Sequence, residues 1–333
     1  MRTDTPRRRW PVALLAVLAA VSTGGLVLLV AAGGPGVNHF RTAEGRAAYE
    51  EAYAAAMAGL PEPTATHDVA TTFGTVRAYA WVDEEHPDAT PVVLLPGRSA
   101  AVPMWADNLP DFARHRTVYA FDTLGDTGLS VQTLPLADVG DSARWVDEAM
   151  QALGIERAHL LGHSQGGGLA AAVAVRHPER LASLTLLEPV LTLGVLPMST
   201  ILYSIPASLP FVPEAWREAA LNRIGGVEPE EVDPDDPLAR LITEGSRHFA
   251  SSSLPNPVPL TDDELRGLDM PVYVGLASDG SLSGGDAAER ATLIPDARVK
   301  VWPDTTHSLP MQAADALGAD LKQFWTTNDP SPR

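Results

Sequence analysis

The chain of 333 residues contains no cysteine and only two lysines, Lys300 and Lys322. The first absence excludes disulfides, thiolate nucleophiles and cysteine-ligated metal centres. The second excludes a phosphate-binding loop, which needs a lysine after its last glycine, and no Gly-x-Gly-x-x-Gly fingerprint occurs either. Positive charge is scarce overall. Lysine and arginine total 24 against 42 aspartates and glutamates, a net charge of −18. Such a balance disfavours binding to nucleic acid phosphates, so no nucleic-acid partner is expected. The hydrophobic share, 45%, is large enough to bury a substantial core. The length suits one large α/β domain with an insertion.

Charge is also missing from one long run. Residues 11–32, "PVALLAVLAAVSTGGLVLLVAA", carry none, and Arg2, Arg7, Arg8 and Arg9 precede them. A helix of this length reaches about 33 Å, enough for a bilayer core. The arginines would hold residues 1–10 on the cytoplasmic side and send the remainder outward. A transmembrane anchor and a signal peptide cut near Val30-Ala31-Ala32 both fit the run. The expected location is therefore extracytoplasmic, either anchored through this helix or secreted after cleavage.

Beyond it, residues 42–60 read as an alanine-rich helix stopped by Pro61 and Pro63, within a helical stalk or linker over 33–67; the helix either packs beside the main domain or acts as a stalk. The catalytic domain is expected over 68–326, followed by a tail over 327–333. "DVATTFGTVRAYAWV" reads as two short strands turning at Gly74. Apolar runs then alternate with helical stretches. The runs are "PVVLLPG" (91–97), "TVYAFD" (117–122), "AHLLGHS" (158–164), "LASLTLLEP" (181–189), "MPVYVGLASD" (270–279) and "ARVKVWPD" (297–304). Helical stretches fall near 103–114 and 139–153, from Gln165 onward, and at 311–325. Uninterrupted apolar strands separated by helices predict an α/β fold with a mostly parallel sheet covered on both faces. The alternation stops over about 190–262. That segment is rich in proline and carries the acidic run "EPEEVDPDD", and it predicts a helical cap above the sheet.

At the centre stands "LLGHSQGGGLA". A serine at a strand-to-helix turn is exposed on a strained backbone, and bulky neighbours two residues away would clash. Gly162 and Gly166 occupy those two positions and complete Gly-x-Ser-x-Gly around Ser164. The Gln165 N–H at the helix start suits an oxyanion. A serine nucleophile needs a base and a group that orients the base. Of the histidines after Ser164, His177 sits at a helix end and His248 in the excursion. His307 follows the last strand and faces the same sheet edge. Asp279 ends a strand before it and is the expected orienting acid. A glycine turn at "LLPGRSA" makes the Arg98 N–H the second expected oxyanion donor, with Ser99 as its neighbour. His163 reads as packing.

These features together resemble the serine hydrolases of the α/β-hydrolase fold. The resemblance covers roughly 68–326. It rests on "GHSQGG", on the chain order Ser164, Asp279, His307, on "TTHSLP", and on "FDTLGDTGLS", which is similar to the family's Asp-x-x-Gly-x-Gly-x-Ser stretch. It implies hydrolysis of small or medium apolar carboxylic esters through an acyl-enzyme, with no cofactor and no metal. The same residues would also serve an amide, a lactone or a carbon–carbon bond. One departure is Pro96, where the family usually carries histidine. Serine at the elbow separates the chain from relatives with an aspartate nucleophile.

Overall fold

The computed structural model describes residues 36–197, 236–250 and 254–330, with four isolated positions at 200, 213, 216 and 219. The apolar run at 11–32 and most of the expected cap lie outside the described residues. Among the described residues no helix is long and apolar enough to cross a membrane.

A nine-stranded sheet organises the domain. Its order is β11-β10-β8-β7-β4-β5-β3-β2, with the short strand β6 (Val131–Gln132) paired to β3. Six strands run parallel: β4 (Val92–Leu95), β5 (Val118–Phe121), β7 (Ala158–His163), β8 (Leu181–Leu187), β10 (Val272–Ala277) and β11 (Ala297–Trp302). β2 (Ala65–Thr71) and β3 (Gly74–Trp81) close one edge as an antiparallel hairpin. Every residue of β4, β7, β8 and β10 is buried. Helices cover both faces, so polar alternation has no place in these strands. The α/β-hydrolase architecture expected from the sequence is therefore present.

Four details differ from the sequence reading. The helix left open between a stalk and a place beside the domain is built into the domain, so 33–67 is not a separate linker. Its helix α1 (Ala43–Met57) buries Tyr49, Ala52 and Tyr53. The Trp81 indole N–H donates to the Pro61 carbonyl at 2.9 Å, tying the following residues to β3. Strand β1 (His39–Phe40) pairs with β9 (Phe249–Ala250), which follows helix α5 (Pro237–His248) from the expected cap. Phe40 packs on Tyr49 and Phe249 with ring centroids 5.1 and 5.0 Å apart. Burying a large apolar side chain stabilises by about 1.5–3 kcal/mol, which is why this segment stays on the domain.

The helical stretch expected near 103–114 is a 3-10 turn at Val102–Trp105 followed by the single turn α2 (Leu109–Phe112). Helix α3 (Val139–Ala152) and helix α4 (Gln165–Arg176) flank the sheet as expected. Three further pieces, α6 (Asp262–Arg266), α7 (Ala287–Ala291) and α8 (Leu309–Gln312), precede the closing helix α9 (Ala314–Thr327). The last expected helix is thus divided at Ala313. Finally, the expected tail is anchored. Asp329 accepts from both guanidinium N–H groups of Arg116 at 3.1 and 3.2 Å.

Candidate active site

Six non-glycine residues among those described adopt positive φ: Ser99, Ala101, Ser164, Glu188, Leu191 and Asp304. All six lie just beyond the C-terminal ends of β4, β7, β8 and β11. Such conformations cost on the order of 1–3 kcal/mol each and persist where the surroundings enforce them. Their collection at one sheet edge marks the site.

Ser164 stands between β7 and α4 with φ 55° and ψ −120°. The glycines beside it are required by contact rather than by flexibility. A Cβ on Gly162 would lie 2.1 Å from the Gly166 carbonyl oxygen. A Cβ on Gly166 would lie 2.4 Å from the carbonyl oxygens of Leu95 and Pro96. The Ser164 N–H donates to Leu187 at 3.0 Å, and its carbonyl accepts from Gly167, Gly168 and Val190 at 3.0, 3.2 and 3.1 Å. The turn is thus pinned to β8 on one side and to the helix on the other.

The Ser164 hydroxyl lies 2.8 Å from His307 Nε2. His307 arrives from the loop after β11, as expected from the sequence. The orienting acid does not match the expectation. His307 Nδ1 faces Glu188 Oε2 at 3.3 Å. Asp279 sends its N–H to the Thr305 carbonyl at 3.0 Å, which ties its loop to that of His307. Its carboxylate, however, is exposed and accepts from Ser278 Oγ at 2.8 Å. A solvated carboxylate on that side cannot orient a ring whose Nδ1 is already met by Glu188.

Glu188 directly follows β8 at φ 46° and is fully buried. Its Oε1 accepts from the Ala277 N–H at 2.7 Å and from Ser281 Oγ at 2.8 Å, and its Oε2 from the Leu282 N–H at 3.0 Å. Burial alone would raise its pKa. The His307 ring and these donors outweigh burial and hold it below the usual glutamate range. The group therefore remains an anion. The sequence carried a signal for it: Glu188 is the one charge in "LASLTLLEP".

The turn after β4 reaches the nucleophile closely. A Cβ on Gly97 would lie 3.3 Å from Ser164 Cβ. The Gly97 N–H donates to Met104 Sδ at 3.2 Å, and the Ser99 N–H to Asp126 Oδ2 at 2.8 Å. Ser99 is thereby directed away from an oxyanion, whereas Arg98 stands between these two positions and Gln165 opens α4. Two buried carboxylates of the 121–130 loop carry this turn. Asp126 holds Ser99, and Asp122 accepts from the Val102 N–H at 3.0 Å, the Leu129 N–H at 2.7 Å and the Tyr53 hydroxyl at 3.0 Å. Burial pushes Asp122 up to about 6. The loop carries one residue more between its glycines than the family stretch it was likened to, and both Asp126 and Thr127 lie there.

A shallow open cleft lies at the N-terminus of α4, lined by Gln165 and Gly166 beside the serine. Arg98, Gln165 and Asp126 lie in it beside the apolar walls of Trp145, Leu169 and Leu254. No group of three or more His, Asp or Glu side chains that could hold a metal ion occurs among the described residues.

Comparison with known proteins gives a consistent set of likenesses. The model of the alpha/beta hydrolase fold family matches residues 90–270. A Bacillus subtilis protein named as the uncharacterized carboxylesterase nap is 25% identical over 279 residues, 83% of this chain and 92% of that one. Carboxylesterase YbfK from the same organism is 24% identical over 301 residues, 86% of this chain and 96% of its own length. The crystal structure of naproxen esterase (carboxylesterase NP) from Bacillus subtilis superposes with a TM-score of 0.76 at 24% identity, covering 86% of this chain and 99% of that one.

Proposed function

We propose a function from one premise: the chain belongs to the alpha/beta hydrolase fold family. It is a carboxylic ester hydrolase that works through an acyl-enzyme on Ser164. The observation that carries this reading is the 2.8 Å contact between Ser164 Oγ and His307 Nε2, with Glu188 against the opposite ring nitrogen. The carboxylesterase names of the two Bacillus subtilis relatives support it.

In this reading the Ser164 oxygen attacks the ester carbonyl carbon while His307 Nε2 takes its proton. The imidazolium so formed is stabilised by the buried Glu188 anion at Nδ1–H. The negative oxygen of the tetrahedral intermediate turns to the N–H groups of Gln165 and Arg98, where the α4 N-terminus adds its dipole. His307 then gives the proton to the departing alkoxide, leaving the acyl group on Ser164. Water, deprotonated by the same ring, attacks the acyl carbon and restores the serine. No step needs a metal or a cofactor.

The substrates are esters with small or medium apolar groups. The cleft walls of Trp145, Leu169 and Leu254 favour such groups over charged ones. Leu254 belongs to the returning arm of the 190–262 excursion, while Trp145 and Leu169 belong to α3 and α4. Substrate choice on this reading is shared between excursion and core helices. Of Met198, Tyr203, Phe211 and Trp216, the larger side chains of the apolar stretch 190–216, the first three lie outside the described residues and Trp216 is exposed. A panel of chromogenic esters, amides and lactones tests the reading on wild type and Ser164→Ala. Ester turnover that vanishes in the variant supports it. Faster cleavage of amides than of esters, or activity retained by the variant, refutes it.

The location belongs to the same proposal. The charge-free run at 11–32 behind four arginines supports a catalytic domain outside the cytoplasm. Protease added to cells stripped of their wall should digest the domain. Intact-mass measurement separates a retained anchor from cleavage near Ala32.

A further inference from the structure

His163 was read from the sequence as packing, and its contacts go further. It is the last residue of β7, directly before Ser164, and is buried. Its Nε2 lies 2.9 Å from the main-chain oxygen of His307. A carbonyl only accepts, so Nε2 carries the proton and donates. The two imidazole rings lie 4.9 Å apart at an interplanar angle of 38°. On its other side Nδ1 has no hydrogen-bond partner and faces the turn after β4, where a Cβ on Gly97 would lie 2.9 Å away. Burial first, and the neighbouring His307 second, push its pKa down to about 3, against the opposing pull of the His307 backbone and Glu188. The ring is neutral and fixed in one tautomer. It therefore adds no second cation beside His307 when that ring takes the serine proton.

We propose that His163 is a positioning residue, whose Nε2–H holds the backbone of the base while its ring spaces the Gly97 turn. This rests on the reading of Ser164 and His307 as the reacting pair. The residue before the nucleophile is bonded to the main chain of the base, 144 residues away in sequence. One rigid side chain then sets the separation of Ser164 Oγ and His307 Nε2. A displacement of about 1 Å at such a pair costs on the order of 100-fold in rate.

Replacement with glutamine and with asparagine separates positioning from packing. Glutamine carries its amide N–H group to about the place of Nε2. Asparagine carries it only to the place of Nδ1, toward Gly97. The measurements are kcat and KM with a butyrate ester, the rate at which a fluorophosphonate labels Ser164, and the melting temperature of each variant. His163→Gln should keep kcat within about fivefold of wild type. His163→Asn should lower kcat and the labelling rate together by about 10–100-fold, with KM little changed. Equal kcat for the two variants, or a loss confined to KM, overturns the proposal. So does an Asn defect that tracks only the fraction of folded protein. Ser164→Ala in the same assay isolates the premise: labelling that survives in it refutes the reacting pair itself rather than the role of His163.

Discussion

Strands β7 and β8 carry a hydrogen-bonded Ser–His–carboxylate relay at each end. At the C-terminal end it is Ser164, His307 and Glu188. At the N-terminal end His159 Nδ1 meets Ser183 Oγ at 2.8 Å, and His159 Nε2 meets Asp329 Oδ1 at 3.0 Å. The residue types and distances are nearly the same, yet the surroundings oppose one another. Ser183 lies inside a strand, opposite His159 and next to a register shift, and both are fully buried. Ser164 lies on a strained turn at the head of a helix, directly before Gln165 and Gly166, which line an open cleft. The carboxylates differ as well. Asp329 is bound to the Arg116 guanidinium, so its charge is already neutralised by an ion pair. Glu188 receives only neutral donors besides His307, and its charge remains available to an imidazolium. The two relays thus differ in backbone strain at the serine and in whether the anion is already spent, not in the three residue types.

The comparison breaks first at the serines. Ser164→Ala should lower ester turnover by at least about 10⁴-fold, with folding unchanged. A residual rate within tenfold of wild type would equate the two relays.

Next comes the latch at the other end. Asp329→Asn leaves Arg116 and His159 without their anion. The residue is partly solvated, so the cost should be about 1–3 kcal/mol in urea unfolding, with kcat within about twofold of wild type. A large fall in kcat at unchanged stability would contradict a purely structural role.

The same relay sets a pH dependence. Burial opposes the charge of Asp329, but His159 and Arg116 overcome it and hold its pKa far below the usual range. Its contribution is present above about pH 4 and is lost on acidification toward the depressed value. His159 acts in the same direction. Burial holds its pKa down despite Asp329, so the unfolded chain takes a proton near about pH 6.5 that the folded chain refuses. The urea midpoint should therefore fall between pH 7 and pH 4, and at least as steeply in Asp329→Asn, where His159 loses the carboxylate that favours its charged form. A midpoint that rises on acidification would reverse the sign. The smallest effect is that of Ser183→Ala, expected within about twofold in kcat.

Much of this was legible in the residues. β4, β7, β8 and β10 read correctly because strands buried on both faces must be apolar throughout. The elbow read correctly because Gly162 and Gly166 answer a steric demand that no other residue meets. Glu188 rather than the expected Asp279 faces His307, because both carboxylates follow strands at the same sheet edge and sequence order does not say which one turns inward. Glu188, alone in an apolar strand and buried, had the stronger physical claim. The place of helix α1, stalk or domain, stayed open because alanine gives it little amphipathic contrast, yet Tyr49 and Tyr53, one turn apart, mark the face it buries. Asp329 gave no pattern at all, since its partners Arg116 and His159 lie more than 150 residues away in sequence.

The central claim is that Glu188, not Asp279, completes the pair formed by Ser164 and His307. Measuring kcat/KM for a butyrate ester in Glu188→Gln and Asp279→Asn tests it most directly. Glu188→Gln should fall by about 10³–10⁴-fold, because the ring loses both its orientation and the anion that stabilises its charged form. Asp279→Asn should stay within about threefold of wild type. A severe loss in Asp279→Asn with near-normal turnover in Glu188→Gln would contradict the account.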